Sequence, residues 1–240
     1  MSFKLGIIAA LPFEAACITN KIINPGSYQI IDQNVFVYTA GMGFGNATKA
    51  VRALINKNVD AFVSWGVAGA LDESLLSGDI VLPEYVIDNN KQRYKVDARW
   101  HAKLKKRLTQ SNVFPGGTIV STRDLQHSPQ LKSELHQSTQ ALALDMESAA
   151  IAQAASLADK PFVIIRTIFD TASMSIPQSS TNATDQYGKI SIPKLFAGLI
   201  RNPGELLQYP NLISSYKKAK NSLIRVMTLC GNDLCFAEAA

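Results

Sequence analysis

The sequence predicts an α/β protein with a single domain, in which helices flank a central mixed, mainly parallel β-sheet. Apolar strand-like runs alternate with amphipathic helical runs along most of the chain, which is the order expected of a layered α/β fold. Hydrophobic residues make up 47% and charged residues 18% of the 240 residues, a composition typical of a globular protein with a sizeable core. No internal repeat or low-complexity segment interrupts this pattern.

The first half of the chain begins with a predicted strand and continues with alternating elements. Strands are predicted at residues 4–11, in a hairpin that turns at 32–34, at 60–69 and at 78–88. The run "FEAACITNKI" follows the first strand, and "NATKAVRALINK" is helical by the spacing of its apolar residues. This order of strands and helices predicts that most neighbouring strands run parallel.

The second half continues the alternation and ends in helices. The predicted order is a basic helix "RWHAKLKKRLTQ", a strand at 116–122, a capped helix "SPQLKSELHQST", a strand at 141–147, an alanine-rich helix "ESAAIAQAASLAD" and a buried strand at 161–170. Residues 173–192 are predicted to form a polar loop that acts as a lid. Two helices with proline in the first turn form a helical extension over residues 193–228, and the single domain spans residues 1–240.

The net charge of +5 and the pI near 9.1 are compatible with attraction to a polyanion or to an anionic membrane. The strongest basic runs, "KLKKR" (103–107) and "SYKKAK" (215–220), lie in amphipathic helical patterns. We interpret these runs as solvated helix faces, with peripheral membrane contact as the alternative. No dense basic cluster contains interleaved aromatic residues, so we expect no nucleic-acid partner.

Cysteines and histidines are few and widely spaced. Cys17, Cys230 and Cys235 and the scattered histidines lack the spacing of a metal site, so no metal is expected. The N-terminal apolar run "LGIIAAL" is closed by Pro12 and is too short for a signal-peptide core or a membrane span. These features predict a cytoplasmic protein with reduced thiols.

Acidic side chains fall where predicted strands end. Glu14 follows the first strand, while Asp145 and Glu147 end "ALALDME" and are expected on one face because strand side chains alternate. Asp170 ends the next strand, on the same face as Arg166. Open α/β sheets bind ligands at the carboxyl ends of their strands, so this rim is the predicted site. The alternative is a buried ion pair between Arg166 and Asp145, with the other acids as exposed caps.

The glycine-rich segment "AGMGFGN" (40–46) joins a strand to a helix, as a dinucleotide-binding loop does. Its glycines do not fit the G-x-G-x-x-G pattern, because the third falls one residue early. The segment also follows a later strand than the first. A nicotinamide or flavin cofactor is therefore not expected.

Five segments, read in order, carry a resemblance to a known family. They are "GIIAALPFEA", "AGMGFGNATKA", "WGVAGALDESLLSGDIVLP", "LDMESAAIAQAA" and "PFVIIRTIFDTA", within residues 4–172. They resemble the signature segments of the nucleoside phosphorylase/nucleosidase superfamily. The resemblance implies a cofactor-free enzyme that cleaves the N-glycosidic bond of a purine nucleoside through an oxocarbenium-like state.

The resemblance also implies which residues form the site. Asp170 matches the general acid that protonates the purine at N7, Glu14 the glutamate that activates water, and Arg166 an arginine near that water. Substrate contacts are implied for Glu147 at the ribose hydroxyls, Met146 against the sugar, Met42 toward the 5′ substituent, Asp145, Val67, Ala68, Gly69 and Phe169.

Two departures from the family pattern favour water over phosphate as the nucleophile. Phosphorolytic members hold phosphate with an arginine in the first strand-to-helix turn and with a serine in the glycine turn. Here the first turn is "LPFEAACIT", and Val67 occupies the serine position. Phosphate is the co-substrate if the enzyme is phosphorolytic.

The C-terminal part resembles the hopanoid-biosynthesis-associated branch of the family. That likeness implies release of adenine from an adenosyl-hopanoid. The resemblance to the wider family implies a homodimer or a higher homo-oligomer, and a homodimer is the expected assembly. Candidates for an apolar entrance for the lipid tail are Met42, Phe44, Leu199 and Ile200. Leu125 lies near the place where methylthioadenosine nucleosidases carry an aromatic residue over the base. The alternatives are a methylthioadenosine/S-adenosylhomocysteine nucleosidase, a phosphate-dependent purine nucleoside phosphorylase and an inactive nucleoside-binding module.

Overall fold

The computed structural model describes residues 3–109, 112–123, 128–189 and 191–236. The strands are β1 Leu5–Ala9, β2 Ser27–Ile31, β3 Val35–Thr39, β4 Ala61–Ala70, β5 Ile80–Leu82, β6 Tyr85–Ile87, β7 Arg93–Lys95, β8 Val113–Pro115, β9 Thr118–Ser121, β10 Ala143–Asp145 and β11 Phe162–Asp170. The helices are α1 Pro12–Thr19, α2 Phe44–Ile55, α3 Ala98–Arg107, α4 Pro129–Thr139, α5 Ser148–Leu157, α6 Gln178–Ala183, α7 Ile192–Arg201 and α8 Tyr209–Cys230. A 3-10 helix, Pro203–Gln208, joins α7 to α8.

The long strand β4 organises the sheet. Val63 pairs with Ile7 on one side and with Val163 on the other, so β4 lies between β1 and β11, parallel to both. Strand β3 extends the parallel arrangement beyond β1, and β2 closes that edge as an antiparallel hairpin partner. The last residues of β4 pair antiparallel with β10, which leads on to β9, β6 and β7. The predicted fold class, a mixed and mainly parallel sheet flanked by helices, is confirmed.

Two apolar cores lie on the two faces of the sheet, because successive strand side chains point to opposite faces. Phe62 packs in the core that contains buried residues of α2 and α5. Val63 and Trp65 pack in the core that contains buried residues of α1, α3 and α8. Ser64, which alternates with these residues, reaches Ser148 at the start of α5, with 2.8 Å between the two hydroxyl oxygens. The pleat of β4 therefore brings a polar group to the beginning of α5.

Several predicted elements are divided or shortened in the structure. The strand predicted at 78–88 is two strands, β5 and β6, because Pro83 lies between them and lacks the N–H that a sheet ladder needs. Strand β10 ends at Asp145, two residues before the predicted end. The predicted loop at 173–192 contains the short helix α6, and the second helix of the predicted extension over 193–228 is preceded by the 3-10 helix at Pro203–Gln208. The sequence patterns did not predict the short strands β7 and β8.

The C-terminal helices pack onto the sheet and onto each other. Helix α8 buries Ala219, Leu223 and Val226, and it lies against β11. Helix α7 crosses α6 closely, since a Cβ at Gly198 would lie 2.6 Å from the Cβ of Ser179. In the part of the chain that the structure describes, none of the helices combines the length and the apolar character required to cross a bilayer.

Candidate active site

Gly66 in β4 lies in contact with the charged side chains of Glu14 and Arg166. Its register partner in β11 is Arg166, which is only 1% exposed. Gly66 has a φ of 151°, and a Cβ there would lie 2.3 Å from Glu14 Oε1 and 2.6 Å from Arg166 Nη1. Only glycine leaves room for both side chains, so this position lets Glu14 and Arg166 lie against the same stretch of strand.

Arg166 is held by an ion pair and by two hydroxyl groups. Its Nη2 lies 2.7 Å from Asp145 Oδ2 and donates to Ser64 Oγ at 2.8 Å and to Ser148 Oγ at 3.1 Å. Glu147 Oε2 lies farther away, at 3.8 Å from the same nitrogen. The guanidinium is therefore fixed in orientation by protein groups.

Asp145 has a different role from the predicted substrate contact. Its Oδ1 accepts from Ser121 Oγ at 2.5 Å and from the Ser148 N–H at 3.2 Å, and its Oδ2 accepts from Arg166 and the Ser148 hydroxyl. Because both carboxylate oxygens take protein donors, Asp145 anchors Arg166 instead of facing a ligand. The alternative predicted from the sequence includes a buried ion pair between Arg166 and Asp145, and the structure shows this ion pair.

Glu14 is a buried carboxylate at the third position of α1. Its Oε2 accepts from the Leu11 N–H at 2.8 Å, and its Oε1 accepts from the Val67 N–H at 2.8 Å. Burial raises the pKa of Glu14, while the Arg166 guanidinium and the backbone N–H groups act in the opposite direction. Glu14 is thus a fixed carboxyl group rather than an exposed helix cap.

Glu147 links the start of α5 to the glycine-rich segment 40–46. It lies beyond the end of β10, as the N-cap of α5, so the expected alternation with Asp145 along one strand is wrong. Its Oε1 accepts from the Gly43 N–H at 2.7 Å. Burial raises the pKa of Glu147 to about 7, opposed by Arg166 and reinforced by the neighbouring Asp145 carboxylate.

The raised pKa of Glu147 predicts a pH dependence of stability. The folded state favours the protonated carboxyl, so its contribution is fully present at low pH and is lost as pH rises from about 4.5 to about 7. Glu147→Gln cannot ionise, so its Tm should change less than that of the wild type, by a few degrees, between about pH 5 and pH 8. Thermal melts across that range test this, with the exposed Glu134→Gln as a control. Equal pH dependence in Glu147→Gln and the wild type would contradict the prediction.

The segment 40–46 is covered by part of the predicted lid. The Met42 N–H donates to the Gln186 carbonyl at 2.7 Å. Tyr187 packs on Gly41 so closely that a Cβ there would lie 2.9 Å from its ring. Met42 and Met146 are half-buried, and Phe44 is 43% exposed. Residues 186–187 therefore lie against the glycine-rich segment 40–46. Within that segment, the amide after Met42, that of Gly43, is the one that donates to Glu147.

Asp170 occupies a separate position at the end of β11. A register shift between Ile168 and Asp170 places Asp170 opposite Gly69, where a Cβ would lie 3.1 Å from Asp170 Oδ2. This bulge interrupts the simple alternation on which the predicted shared face with Arg166 depended. Burial raises the pKa of Asp170, while Lys132 acts in the opposite direction.

Lys132 on α4 is the ion-pair partner of Asp170. Its side chain is 0% exposed, and its Nζ contacts Asp170 Oδ2. The same nitrogen donates to the Thr171 carbonyl at 2.7 Å and to the Met174 carbonyl at 2.9 Å. The predicted single cluster of four acids with Arg166 is therefore two groups, one around Arg166 and one formed by Asp170 with Lys132.

The remaining predicted residues lie between or beside these two groups. Val67, Ala68 and Gly69 form the stretch of β4 that runs from the Glu14 contact to the Asp170 contact. Phe169 is half-buried, and its carbonyl accepts from Ser77 Oγ at 2.9 Å. Leu125 lies outside the described residues.

The chain belongs to the phosphorylase superfamily, whose family pattern matches residues 4–191. This match confirms the resemblance seen in the five sequence segments. It also confirms that the chain is an enzyme of the nucleoside phosphorylase and nucleosidase class, since relatives in this family are named nucleosidases.

Known relatives agree in sequence and in fold. A 5′-methylthioadenosine/S-adenosylhomocysteine nucleosidase of Maridesulfovibrio salexigens is 29% identical over 197 residues, covering 70% of this chain and 85% of the relative. The structure of the futalosine hydrolase of Helicobacter pylori superposes with a TM-score of 0.70 at 16% identity, covering 95% of this chain and 97% of that one. The structure of the Neisseria meningitidis 5′-methylthioadenosine/S-adenosylhomocysteine nucleosidase in complex with methylthio-immucillin-A superposes with a TM-score of 0.70 at 19% identity. The superposition covers 98% of this chain and 99% of that one. At these identities the structural likeness shows the fold.

Proposed function

We propose that this enzyme hydrolyses the N-glycosidic bond of a purine nucleoside. The observation that carries the proposal is the placement of two buried acidic groups along the end of β4. Glu14 lies against Gly66 and Asp170 lies against Gly69. These positions are three strand residues apart, roughly 10 Å. That separation leaves room for a sugar carbon near one acid and a purine ring near the other.

Asp170 is the proposed general acid. Cleavage moves the bonding electrons of C1′–N9 onto the purine, which must then gain a proton at N7. Burial of Asp170 favours the protonated form that can supply this proton. A positioned acid of this kind typically contributes about 10²–10⁴-fold in rate.

Glu14 is the proposed base for the attacking water. In this step the water oxygen bonds to C1′ and Glu14 takes the released proton. Two backbone N–H groups hold the Glu14 carboxylate in place, and Arg166 lies against the same glycine. Arg166 Nε is buried without a hydrogen-bond partner among the described residues, so it retains a donor that a buried water can use.

Glu147 and the methionines complete the proposed sugar site. The Glu147 carboxyl accepts from the Gly43 N–H, which fixes its position. Met42 precedes Gly43 in sequence, and Met146 precedes Glu147. A carboxylate at this place can accept hydrogen bonds from ribose hydroxyls, each worth about 1.5–3 kcal/mol when the acceptor is charged. The two half-buried methionines supply adaptable apolar surface beside the sugar and the 5′ substituent.

Charge around Arg166 supports water as the nucleophile. Three carboxyl groups, those of Glu14, Asp145 and Glu147, act electrostatically on one guanidinium. Its ion pair with Asp145 already compensates its charge. A phosphate dianion would meet like charges here, with no further arginine in the first strand-to-helix turn to neutralise it.

The proposed hydrolysis should be independent of phosphate. We expect equal kcat/KM with and without saturating phosphate, and free ribose or its 5′-substituted form as the product. Purine release is measured spectrophotometrically, with sulfate at the same ionic strength as the control. Turnover that requires phosphate and yields a ribose 1-phosphate would show that the enzyme is a phosphorylase.

For the substrate, we propose a nucleoside of adenine with an apolar 5′ substituent, of which adenosyl-hopanoid is the specific candidate. Exposed Phe44 and half-buried Met42 provide apolar surface where the 5′ substituent is proposed to lie. The second candidate is methylthioadenosine or S-adenosylhomocysteine, favoured by the names of the relatives. Adenine release from adenosyl-hopanoid, 5′-methylthioadenosine and adenosine decides between them, because efficient cleavage of methylthioadenosine excludes the lipid proposal.

Assembly and membrane contact are further parts of the proposal. Ile200, Leu206 and Leu207 expose apolar side chains, and the basic Arg201 follows Ile200 in sequence, a combination suited to peripheral contact with an anionic bilayer from a cytoplasmic location. Sedimentation with anionic and neutral vesicles tests that contact.

A homodimer of chains that each form one domain over residues 1–240 is the proposed assembly, and light scattering tests it. The intact set of Glu14, Glu147 and Asp170 argues against an inactive binding module.

A further inference from the structure

Lys132 is a fully buried ammonium that the reaction described above leaves unexplained. Its Nζ contacts Asp170 Oδ2, the Thr171 carbonyl and the Met174 carbonyl. An ammonium has three N–H donors and no acceptor, so these three contacts use all of its hydrogen-bonding capacity. Lys132 therefore has no donor left for a purine or a sugar.

A buried lysine without an acidic partner carries a large desolvation penalty, so its contacts define its role. Two of the three acceptors are backbone carbonyls in the turn that directly follows β11, and the third is the acid itself. The ammonium thus joins α4 to the end of β11 at the residue proposed to protonate the base. The Asp170 carboxyl can rotate only by breaking a charged hydrogen bond.

We infer that Lys132 is a positioning residue for the proposed reaction, because it holds Asp170 Oδ2 and so reserves Oδ1 for transfer of the proton to the leaving purine. The inference rests on the proposed function. Lys132 itself transfers no proton in this step: the proton moves from Oδ1 to N7 as the C1′–N9 bond breaks. After purine release, Asp170 is reprotonated from solvent.

The charged surroundings of Asp170 make this role measurable by pH. Lys132 is the one side-chain charge found to act on Asp170 within the described residues. Glu14, Glu147 and Arg166 interact with one another instead, and Asp79 at the start of β5 directs its carboxylate to the Leu76 N–H. Removing the Lys132 charge should therefore raise the pKa of Asp170 further. The active form is the protonated acid, so the alkaline limb of the kcat profile should move to higher pH.

The test compares Lys132→Met with Lys132→Arg and with Lys160→Met, a control in which a surface lysine 3.7 Å from Asp60 is changed in the same way. The substrate is whichever of adenosine, 5′-methylthioadenosine and adenosyl-hopanoid the wild type cleaves fastest. For Lys132→Met we expect kcat to fall by about 10²-fold with little change in KM, and the alkaline limb to move to higher pH. Lys132→Arg should keep the limb at the wild-type position, and Lys160→Met should match the wild type.

A second substrate separates loss of positioning from loss of fold. The leaving group of 4-nitrophenyl β-D-ribofuranoside departs as a stable anion and needs no proton, so Lys132→Met and the wild type should cleave it equally. The inference is overturned if Lys132→Met loses kcat equally on both substrates, or if the alkaline limb of its kcat profile stays at the wild-type position. If Lys132→Met cannot be purified, the neutral variant Lys132→Gln takes its place in the same two-substrate comparison, with the same expected and overturning results. If the wild type cleaves no purine nucleoside, the proposed function fails first, which is a distinguishable result.

Discussion

Asp170→Asn is expected to lower kcat for purine nucleoside cleavage by about 10²–10⁴-fold, the typical contribution of a positioned general acid. Asparagine has nearly the same shape as aspartate but cannot deliver a proton to N7 at the required acidity. Cleavage of 4-nitrophenyl β-D-ribofuranoside should change little, since its leaving group needs no proton. Steady-state kinetics on both substrates measure the effect. Wild-type turnover of the purine nucleoside by Asp170→Asn would remove the assignment of the acid.

The same substitution should also reveal the cost of a buried charge without its partner. In Asp170→Asn the Lys132 ammonium keeps its two carbonyl acceptors but faces an amide that cannot ionise, which should destabilise the fold by about 3–5 kcal/mol at a pH where wild-type Asp170 is ionised. The double variant Asp170→Asn with Lys132→Met should recover much of this stability without recovering activity. Denaturant unfolding of both variants measures the difference, with Asp60→Asn as a control at a partly exposed ion pair. If the double variant has no higher free energy of unfolding than Asp170→Asn, the charge of Lys132 does not need Asp170 as its partner for stability.

The elements that the sequence predicted well share a strong local signal. Strands β1, β4 and β11 are predominantly apolar and almost entirely buried, and the hairpin of β2 and β3 turns where it was expected. The short strands β7 and β8 contain three residues each and owe their conformation to pairing with β6 and β5. Local sequence cannot specify strands of this length, because their stability comes from the strand that they pair with, which for β8 lies about 30 residues earlier in the chain.

The site was predictable as a set of residues but only partly as a geometry. Glu14, Arg166 and Glu147 do come together, and the alternation rule failed only where a strand ends or bulges, at Glu147 and Asp170. Lys132 gave no usable signal. In helix α4 the neighbouring Leu131 is 38% exposed while Lys132 is buried, which is the reverse of what residue type predicts on a surface helix.

Buried hydroxyl groups form the other part of the site that sequence could not reveal. Ser64, Ser121 and Ser148 bind Asp145 or Arg166, yet serine is common in strands, turns and helix starts. Their role depends on strands β4, β9 and β10 meeting at the start of α5. Only the assembled sheet shows that these hydroxyls satisfy the buried ion pair.

Gly66→Ala is expected to disrupt both activity and stability, because the added methyl group would overlap Glu14 and Arg166. The methyl carbon would lie 2.3 Å from Glu14 Oε1 and 2.6 Å from Arg166 Nη1, at a φ of 151° that L-residues rarely adopt. Overpacking of this kind costs about 1–3 kcal/mol, and backbone strain adds a comparable amount. Displacing the proposed base by about 1 Å should lower kcat by about 10²-fold.

Two matched glycines separate the causes of that effect. Gly26 has a φ of 78°, and an added methyl group there would meet no atom within 4 Å, so Gly26→Ala reports backbone strain alone. Gly204 has an ordinary φ and the same open surroundings, and it lies outside the proposed site, so Gly204→Ala should be nearly neutral. Denaturant unfolding and nucleoside kinetics of the three variants measure the contributions. If Gly66→Ala loses only as much stability as Gly26→Ala and keeps wild-type kcat, Glu14 and Arg166 tolerate displacement, and the pairing of these groups around Gly66 is not what positions the water.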